Sequence, residues 1–164
     1  MNRAAIEELL AFSDFAWRQH EETIRGLGED ALVKPAPGSG WPALRDALAH
    51  VNFGYDRWLS ILADTPLTGF DVESVRSWDD LESYRSRERA RFRESLDSFS
   101  DSELAAERPM SIDGETLLYS PADIFVHVLL HERGHDGDIS TLLYQIGMEP
   151  PVVEYRFSLP ATPG

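Results

Sequence analysis

Three histidines, His127, His131 and His135, recur at intervals of four residues within the segment 124–145. The segment carries apolar residues at helical spacing, which predicts one long helix. Because an α-helix turns once in about 3.6 residues, side chains four positions apart project from the same face. Two imidazoles on one face can bind the same metal ion, so the spacing predicts a metal site between the helices of a bundle.

The pair formed by His131 and His135 falls on the stripe of this helix that faces the core. The same stripe contains four apolar residues, Ile124, Val128, Leu142 and Ile146. Burying two imidazoles without partners would be costly, and a shared metal ion satisfies both. The alternative is two histidines that bond to water or carboxylates. By spacing alone His127 also fits as a ligand, but it lies one step off the stripe, so we place it beside the site.

A third ligand must come from another segment, and His50 is the candidate. It lies beside the apolar face, Leu44 to Leu62, of a helix predicted to begin at Pro42, and two nearby residues on that helix, Ala47 and Gly54, are small. Small residues leave room for a metal ion between two helices. Three neutral imidazoles suit Zn²⁺ or Ni²⁺ and leave one coordination position open for water or an external thiolate.

Two further helices complete a predicted all-α four-helix bundle in a single domain of residues 1–164. The first is predicted over 2–27, with His20 as a boundary histidine that has a hydrogen-bond partner. The third begins at Ser77 and runs to about Phe99. Its alternating arginines and carboxylates predict a solvated, ion-paired surface.

The connections and the last helix follow from turn and cap residues. The prolines and glycines of 28–41 predict a loop with no regular element. The dipeptide Asp113-Gly114 predicts a short hairpin or loop before the last helix. Ser120 and Pro121 open that helix, and the tail that follows it is predicted to be extended and to pack across the bundle.

Charge and cysteine content limit the partners. The net charge is −14, so we expect no nucleic-acid partner and no membrane partner. The chain contains no cysteine, which excludes thiolate ligands and a sulfur nucleophile from the protein itself. This composition, with no signal peptide at the N-terminus, predicts a cytoplasmic location. Any sulfur chemistry must therefore use a small thiol from the cell.

Two stretches resemble the DinB-like family of metal-binding four-helix bundles, which includes YfiT-type proteins and thiol-dependent transferases. They are LRDALAHVNFGYDRWL (44–59) and HVLLHERGHDGDISTLLYQIGMEPP (127–151), and the segment 16–32 also resembles the family's first helix and loop. The resemblance implies an up-down-down-up order of helices, a divalent metal and often a homodimer. The family's metal positions correspond here to His50, His131 and His135.

One departure from the family concerns the residues after the last ligand, which are commonly Arg-Gly-Gln and are here Asp136-Gly137-Asp138. The loss of the arginine argues against a strongly anionic thiol. Asp138 follows His135 by three residues, so it can approach the metal or orient a ligand. We consider it a catalytic candidate, although a solvated carboxylate is the simpler interpretation.

Residues 131–135 also match H-E-x-x-H, the zinc protease signature, in which Glu132 would be the base that activates water. The longer form of that signature fails at Asp138 and Thr141, so a protease is a distant alternative. Glu132 as the general base of another hydrolysis fits the sequence better.

The favoured function is a metal-dependent transferase that acts with a low-molecular-weight thiol on a small electrophile. We expect the electrophile to bind between the second and fourth helices, near Tyr55, Trp58 and His127. The alternatives are a hydrolase that uses metal-bound water, a non-catalytic metal-binding stress protein, and a helical interaction module without a metal.

Overall fold

A computed structural model describes residues 1–160. The described part of the chain forms seven α-helices and one two-stranded antiparallel sheet, namely α1 (Arg3–Arg25), α2 (Asp30–Val33), α3 (Leu44–Ala63), α4 (Trp78–Asp97), α5 (Asp101–Ala105), β1 (Arg108–Ile112), β2 (Glu115–Tyr119), α6 (Pro121–Gly134) and α7 (Asp136–Gln145). Short 3₁₀ turns cover Val72–Ser74 and Tyr155–Ser158. The predicted all-α fold with a short hairpin before the last helix is confirmed.

Serine caps define where the third and fourth long helices begin. Ser77 and Ser120 each accept a hydrogen bond from the backbone three residues on, and Asp80 and Asp123 accept one in return. These capping boxes satisfy N–H groups that have no partner within the helix, so both helices begin where the sequence predicts. The second long helix, α3, begins at Leu44, two residues after the predicted start at Pro42, because Ala43 at the N-cap is still extended.

The four long helices run up, down, down and up, as the family resemblance implies. α6 is parallel to α1, because Ser13 contacts Glu132 and, further along both helices, His20 contacts Asp136. α3 is antiparallel to α6, because Gly54 faces His131 whereas Trp58, later in α3, contacts the earlier His127. α4 is antiparallel to α1, because Arg3 bonds Leu96 whereas Trp17 bonds Glu82.

The interior consists of two apolar clusters with a polar layer between them. One cluster includes Leu10, Leu59 and Phe125, and the other includes Trp17 and Leu142. Between the two clusters lie the buried polar residues Ser13, Arg85, Arg89 and Glu132, together with the predicted ligands His131 and His135, whereas His50 stands at the edge of the second cluster, between Ala49 and Val51. The bundle therefore places these ligands at mid-height, between two apolar ends that hold the helices in register.

Several elements differ from the predicted ones. The loop 28–41 contains one helical turn, α2, and α5 follows the third helix. The last helix is not continuous, because it is interrupted at His135, which caps both α6 and α7. Glycines at 134 and 137 flank the break and weaken the helix there.

The C-terminal tail is held on one side only. The ring of Tyr155 packs edge-on against Phe12 at 5.4 Å and its hydroxyl bonds Glu8, whereas Val152 and Phe157 remain exposed. The tail thus contacts α1 instead of crossing the bundle, and residues 161–164 lie outside the described range. No helix within 1–160 combines the length and apolar character needed to cross a membrane.

Candidate metal site

His50, His131 and His135 converge in the cleft between α3 and α6, and we call them the histidine cluster. The Nε2 atom of His131 lies 3.2 Å from Nε2 of His50 and 3.3 Å from Nε2 of His135. Tetrahedral zinc with bonds of 2.0–2.1 Å separates its nitrogen ligands by about 3.3 Å. These two separations match that value, and the three ligand atoms all lie within 4.8 Å of one another, so the side chains are placed to share one metal ion.

Gly54 makes the convergence possible. A Cβ atom at this position would lie 2.7 Å from both Cε1 and Nδ1 of His131. Since real Cβ atoms do not approach ring atoms so closely, any side chain here would displace the imidazole. The sequence-based expectation that small residues leave room beside His50 is met at this glycine.

The cleft keeps the imidazoles in the form that binds metal. Burial, together with the other imidazoles nearby, lowers the pKa of His131 to about 4. Burial likewise lowers the pKa of His50, and His135 adds to the effect. Both rings are therefore neutral at pH 7, and a neutral imidazole offers the lone pair that a metal needs. The Nδ1 atom of His131 is buried and has no hydrogen-bond partner among the described residues.

Asp138 and Trp41 orient His135. The Oδ2 atom of Asp138 lies 2.8 Å from Nδ1 of His135 and accepts a hydrogen bond of 3.1 Å from the indole Nε1 of Trp41. These two hydrogen bonds lower the pKa of Asp138, so its carboxylate stays ionised. A carboxylate on Nδ1 holds the proton there and leaves Nε2 free to bind a metal. Asp138 thus orients the ligand His135. It does not belong to the group of side chains placed to bind the metal directly, which is His50, His131 and His135.

Trp41 is the residue of the site that sequence analysis misses. Its ring lies 4.8 Å from the ring of His50 and 5.6 Å from that of His135, so it covers the cluster from the loop before α3. A loop residue has no periodicity that would mark it. The available signal was a tryptophan in a segment rich in glycine and proline, close in sequence to a candidate ligand.

His127 and Trp58 lie one helical turn from the cluster. Their rings pack edge to face at 4.3 Å, and burial lowers the pKa of His127. Within 1–160, the group of side chains placed to share a metal comprises His50, His131 and His135 and does not extend to His127. The pair therefore lies beside the histidine cluster and not within it.

Glu132 does not face the histidine cluster, which corrects its predicted role as general base. Its carboxylate is 1% exposed and lies on the opposite face of α6. It accepts hydrogen bonds from Ser13, Tyr55 and Arg89 and pairs with Arg85 at 3.1 Å. Burial alone would raise the pKa of Glu132, but the two guanidinium groups outweigh it and hold the pKa far below its usual range. Such a group cannot accept a proton during catalysis.

The buried position of Glu132 also changes the expectations for Tyr55 and for two arginines of α4, which contact it. The hydroxyl of Tyr55 bonds Glu132 and Arg89 in the interior, so it points away from the cleft and does not line a substrate site. Arg85 and Arg89 are buried and not solvated as predicted, and both also contact Asp14, at 3.5 Å and 3.0 Å. We call Asp14, Arg85, Arg89 and Glu132 the arginine network.

His20 is placed as predicted. It is buried, and its Nε2 lies 3.3 Å from Oδ1 of Asp136. Asp136 in turn accepts a hydrogen bond of 2.7 Å from Arg133. The first aspartate of the segment that departs from the family pattern is therefore engaged in contacts with α1 and α6, whereas the second, Asp138, supports His135.

Comparison with known proteins agrees with this arrangement. The family model described as the DinB superfamily matches residues 13–139, a range that includes the three histidines, Asp138 and Trp41. No curated protein matches the chain. Because the family model covers well over half of the sequence, the chain belongs to the DinB superfamily.

Proposed function

We propose that this protein is a metal-dependent transferase that joins a low-molecular-weight thiol to a small electrophile. The observation that carries the proposal is the convergence of three imidazoles, with Nε2 separations of 3.2 and 3.3 Å, in the cleft between α3 and α6. A divalent metal bound there supplies positive charge that lowers the pKa of a thiol, so that the thiol reacts as thiolate near pH 7. The cysteine-free chain leaves the sulfur to the second substrate.

The surroundings favour a thiol over water as the nucleophile. Hydrolysis requires a base to take a proton from water, and the two predicted bases are already engaged. Glu132 is held by the arginine network, and Asp138 accepts hydrogen bonds from His135 and Trp41. A thiol, with an ordinary pKa of about 8.5, needs far less help to ionise.

Residues of the cleft divide the remaining tasks. Asp138 and Trp41 orient His135 and exclude water from one side of the histidine cluster. Trp58 and His127 form the opposite wall, where an electrophile would meet the thiol sulfur. We assign them to binding and positioning, which retains two of the three predicted substrate contacts and drops Tyr55.

The finer expectations form part of the same proposal. Imidazole ligands suit zinc and nickel alike, so we propose one of these two ions. A homodimer and a cytoplasmic location follow from the family resemblance and from the absence of cysteine, respectively. Elemental analysis of protein purified without chelators identifies the metal ion, and the mass of the protein in solution tests for the homodimer.

The decisive experiment combines a panel of thiols with a chromogenic aryl halide as electrophile. Cysteamine, cysteine and glutathione carry a positive, a neutral and a negative net charge, and each is tested with zinc-loaded and nickel-loaded protein. We expect a rate that chelator abolishes, that His131→Ala removes and that His127→Ala retains at least in part.

Other outcomes point to other functions. Chelator-sensitive cleavage of nitrophenyl esters without any thiol-dependent rate would replace the proposal with a hydrolase. Stoichiometric metal without either activity would leave a metal-binding protein that is not an enzyme. Protein that binds no metal would contradict the proposal at its first step.

A further inference from the structure

A cavity of about 440 Å³ opens beside His50, on the side of α3 that faces the loop after it. Its volume lies in the range of sites for small organic ligands. The apolar part of its wall consists of Trp41, Phe53, Phe70 and Val72. Three aromatic rings around a space of this size suit a substrate with a ring-sized apolar body.

The charged side chains that line the cavity are both carboxylates, Asp46 and Asp71, within residues 1–160. Asp71 is exposed at the rim. The Oδ2 atom of Asp46 is buried and has no hydrogen-bond partner in the described structure. The side chain of Asp46 as a whole is 15% exposed, and a carboxylate largely withdrawn from water acts more strongly on a positive charge in the neighbouring cavity than a fully exposed one does.

Arg45 offsets part of this negative charge. Its Nη2 atom lies 3.4 Å from Oδ1 of Asp46 and 3.0 Å from Glu73 at the surface. Counting Arg45 against Asp46, Asp71 and Glu73, one positive charge faces three negative ones. The region around the cavity therefore keeps a negative potential, in keeping with a chain whose net charge is −14.

Helical spacing places Asp46 close to the histidine cluster. Asp46 and His50 are four residues apart on α3, so their Cβ atoms are about 6 Å apart on one face. Phe53 lies on the same face, three residues after His50. A ligand that fills the cavity can thus extend from Asp46 to the edge of the cluster.

We propose that this cavity binds the body of a substrate that carries an aromatic or similarly sized apolar group and a positively charged nitrogen. Asp46 and Asp71 pair with the nitrogen, and the rings of Trp41, Phe53 and Phe70 contact the apolar group and the face of the cation. The assignment to a substrate rests on the proposed function.

The test measures binding by titration calorimetry and requires no turnover. The probe is benzyltrimethylammonium, whose quaternary nitrogen cannot coordinate a metal, and the matched probes are benzyl alcohol and phenylacetate. We expect the cation to bind metal-free and zinc-loaded protein at least about tenfold more tightly than the neutral probe, and phenylacetate to bind most weakly, since each charge pair favours the cation.

Three variants locate the binding. Asp46→Asn keeps the shape of the side chain and should weaken the cation about tenfold while leaving benzyl alcohol unchanged. Asp71→Asn, at the exposed rim, should weaken it less and serves if Asp46→Asn fails to fold. Asp97→Asn removes the same charge from an exposed residue of α4 and should leave the affinity unchanged, which separates the cavity from the general charge of the surface.

Equal affinities for cation and neutral probe would overturn the proposal, as would wild-type affinity for the cation in both Asp46→Asn and Asp71→Asn. Failure of the proposed function is a distinct result. If no thiol reacts but the cation binds in the charge-dependent way described, the cavity is a binding site of a protein that is not a thiol transferase. If thiols react and the cation does not bind, the proposed function stands and the cavity proposal is overturned.

Discussion

His131 and Glu132 are neighbours in the chain, yet they belong to two separate polar regions on different faces of α6. The histidine cluster lies between α3 and the last two helices, and the arginine network lies between α1, α4 and α6. Both occupy the polar layer between the two apolar clusters. Consecutive residues on a helix point about 100° apart, so one residue step is enough to move a side chain from one region to the other.

The two regions differ in the kind of contact that their polar groups make. In the arginine network, opposite charges face one another, and Glu132 meets Arg85, Arg89, Ser13 and Tyr55. Nη1 and Nη2 of Arg85 and Nε of Arg89 make charge contacts there without a hydrogen bond. In the histidine cluster, like groups face one another, and imidazoles that share a site cannot all donate and accept in turn. Paired opposite charges in a core fix structure, whereas a convergent set of like nitrogens with unused lone pairs can receive a ligand.

The largest expected effect comes from removing a ligand of the histidine cluster. His131→Ala should reduce the bound metal from one equivalent per chain to almost none, because two imidazoles hold a metal far less tightly than three. Elemental analysis and titration with zinc measure this. The matched control is His127→Ala, which should retain the metal.

The stability of His131→Ala sharpens the comparison. With zinc present the variant should unfold at a lower temperature than the wild type, because it loses the stabilisation that a bound ligand provides. A variant that keeps full metal occupancy would show that the cluster is not the site. Loss of metal in His127→Ala instead would move the site one turn toward the N-terminus.

Neutralising the centre of the arginine network should act on stability and not on metal. Glu132→Gln removes the buried carboxylate of the network and leaves Arg85 and Arg89 with Asp14, which is partly exposed, so it should lower the free energy of unfolding by about 3–5 kcal/mol. Urea unfolding of the metal-free protein measures it. Glu94→Gln, an exposed residue on α4, is the control and should change stability by less than about 0.5 kcal/mol. Folded Glu132→Gln that has lost its metal site would disprove the separation of the two regions.

A smaller effect is expected from filling the space beside His131. Gly54→Ala places a Cβ atom against the imidazole and should weaken zinc binding by about 10–100-fold, the range for changes that misorient a ligand. Gly134→Ala is the control, because its added Cβ meets nothing within 4 Å. Competition with a chromogenic chelator compares the two, and equal affinities would mean that the ring moves aside without cost.

The smallest effect should be the response of the metal-free protein to mild acid. The pKa of His131 is lowered to about 4, whereas the unfolded chain titrates near the usual value of about 6.5. Between these values the unfolded state binds more protons, so stability falls as the pH decreases from about 6.5 to 4. Glu132, whose pKa is lowered far below its usual range, loses its contribution only at still lower pH.

Denaturant unfolding between pH 7 and 4 measures this difference. His131→Ala should reduce the loss of stability in that range, and Glu94→Gln should not. A pH dependence that His131→Ala leaves unchanged would assign it to other groups whose pKa is lowered by burial, such as His50 or His127.

The histidine cluster was predictable because its information is local. His131 and His135 share a face through their spacing, and His50 stands on an apolar helix beside a glycine. The arginine network was not predictable, because it depends on four residues from three helices that meet only after folding. Arg85 and Arg89 look like their solvated neighbours in the sequence, and nothing near Asp14 or Glu132 marks these as their partners.

The break at His135 and the role of Trp41 lie between these extremes. Glycines on both sides of the break signal a weak point of the helix, although the continuous apolar stripe favours one long helix. Trp41 reaches the site through the path of a loop, which no periodic pattern describes. Local patterns therefore identify ligands on helices, and the residues that hold or cover them come from the tertiary structure.

The interruption of the last helix at His135 has a mechanical consequence. This residue connects α6 to α7 and is also one of the three candidate ligands, so a bound metal would restrain the junction between the two helices. Asp138 on α7 is tied to Trp41, and Trp41 forms part of the cavity wall. Metal binding would thus fix the angle between α6 and α7. Through the hydrogen bond between Asp138 and Trp41, it would also fix the position of the cavity wall that a substrate contacts.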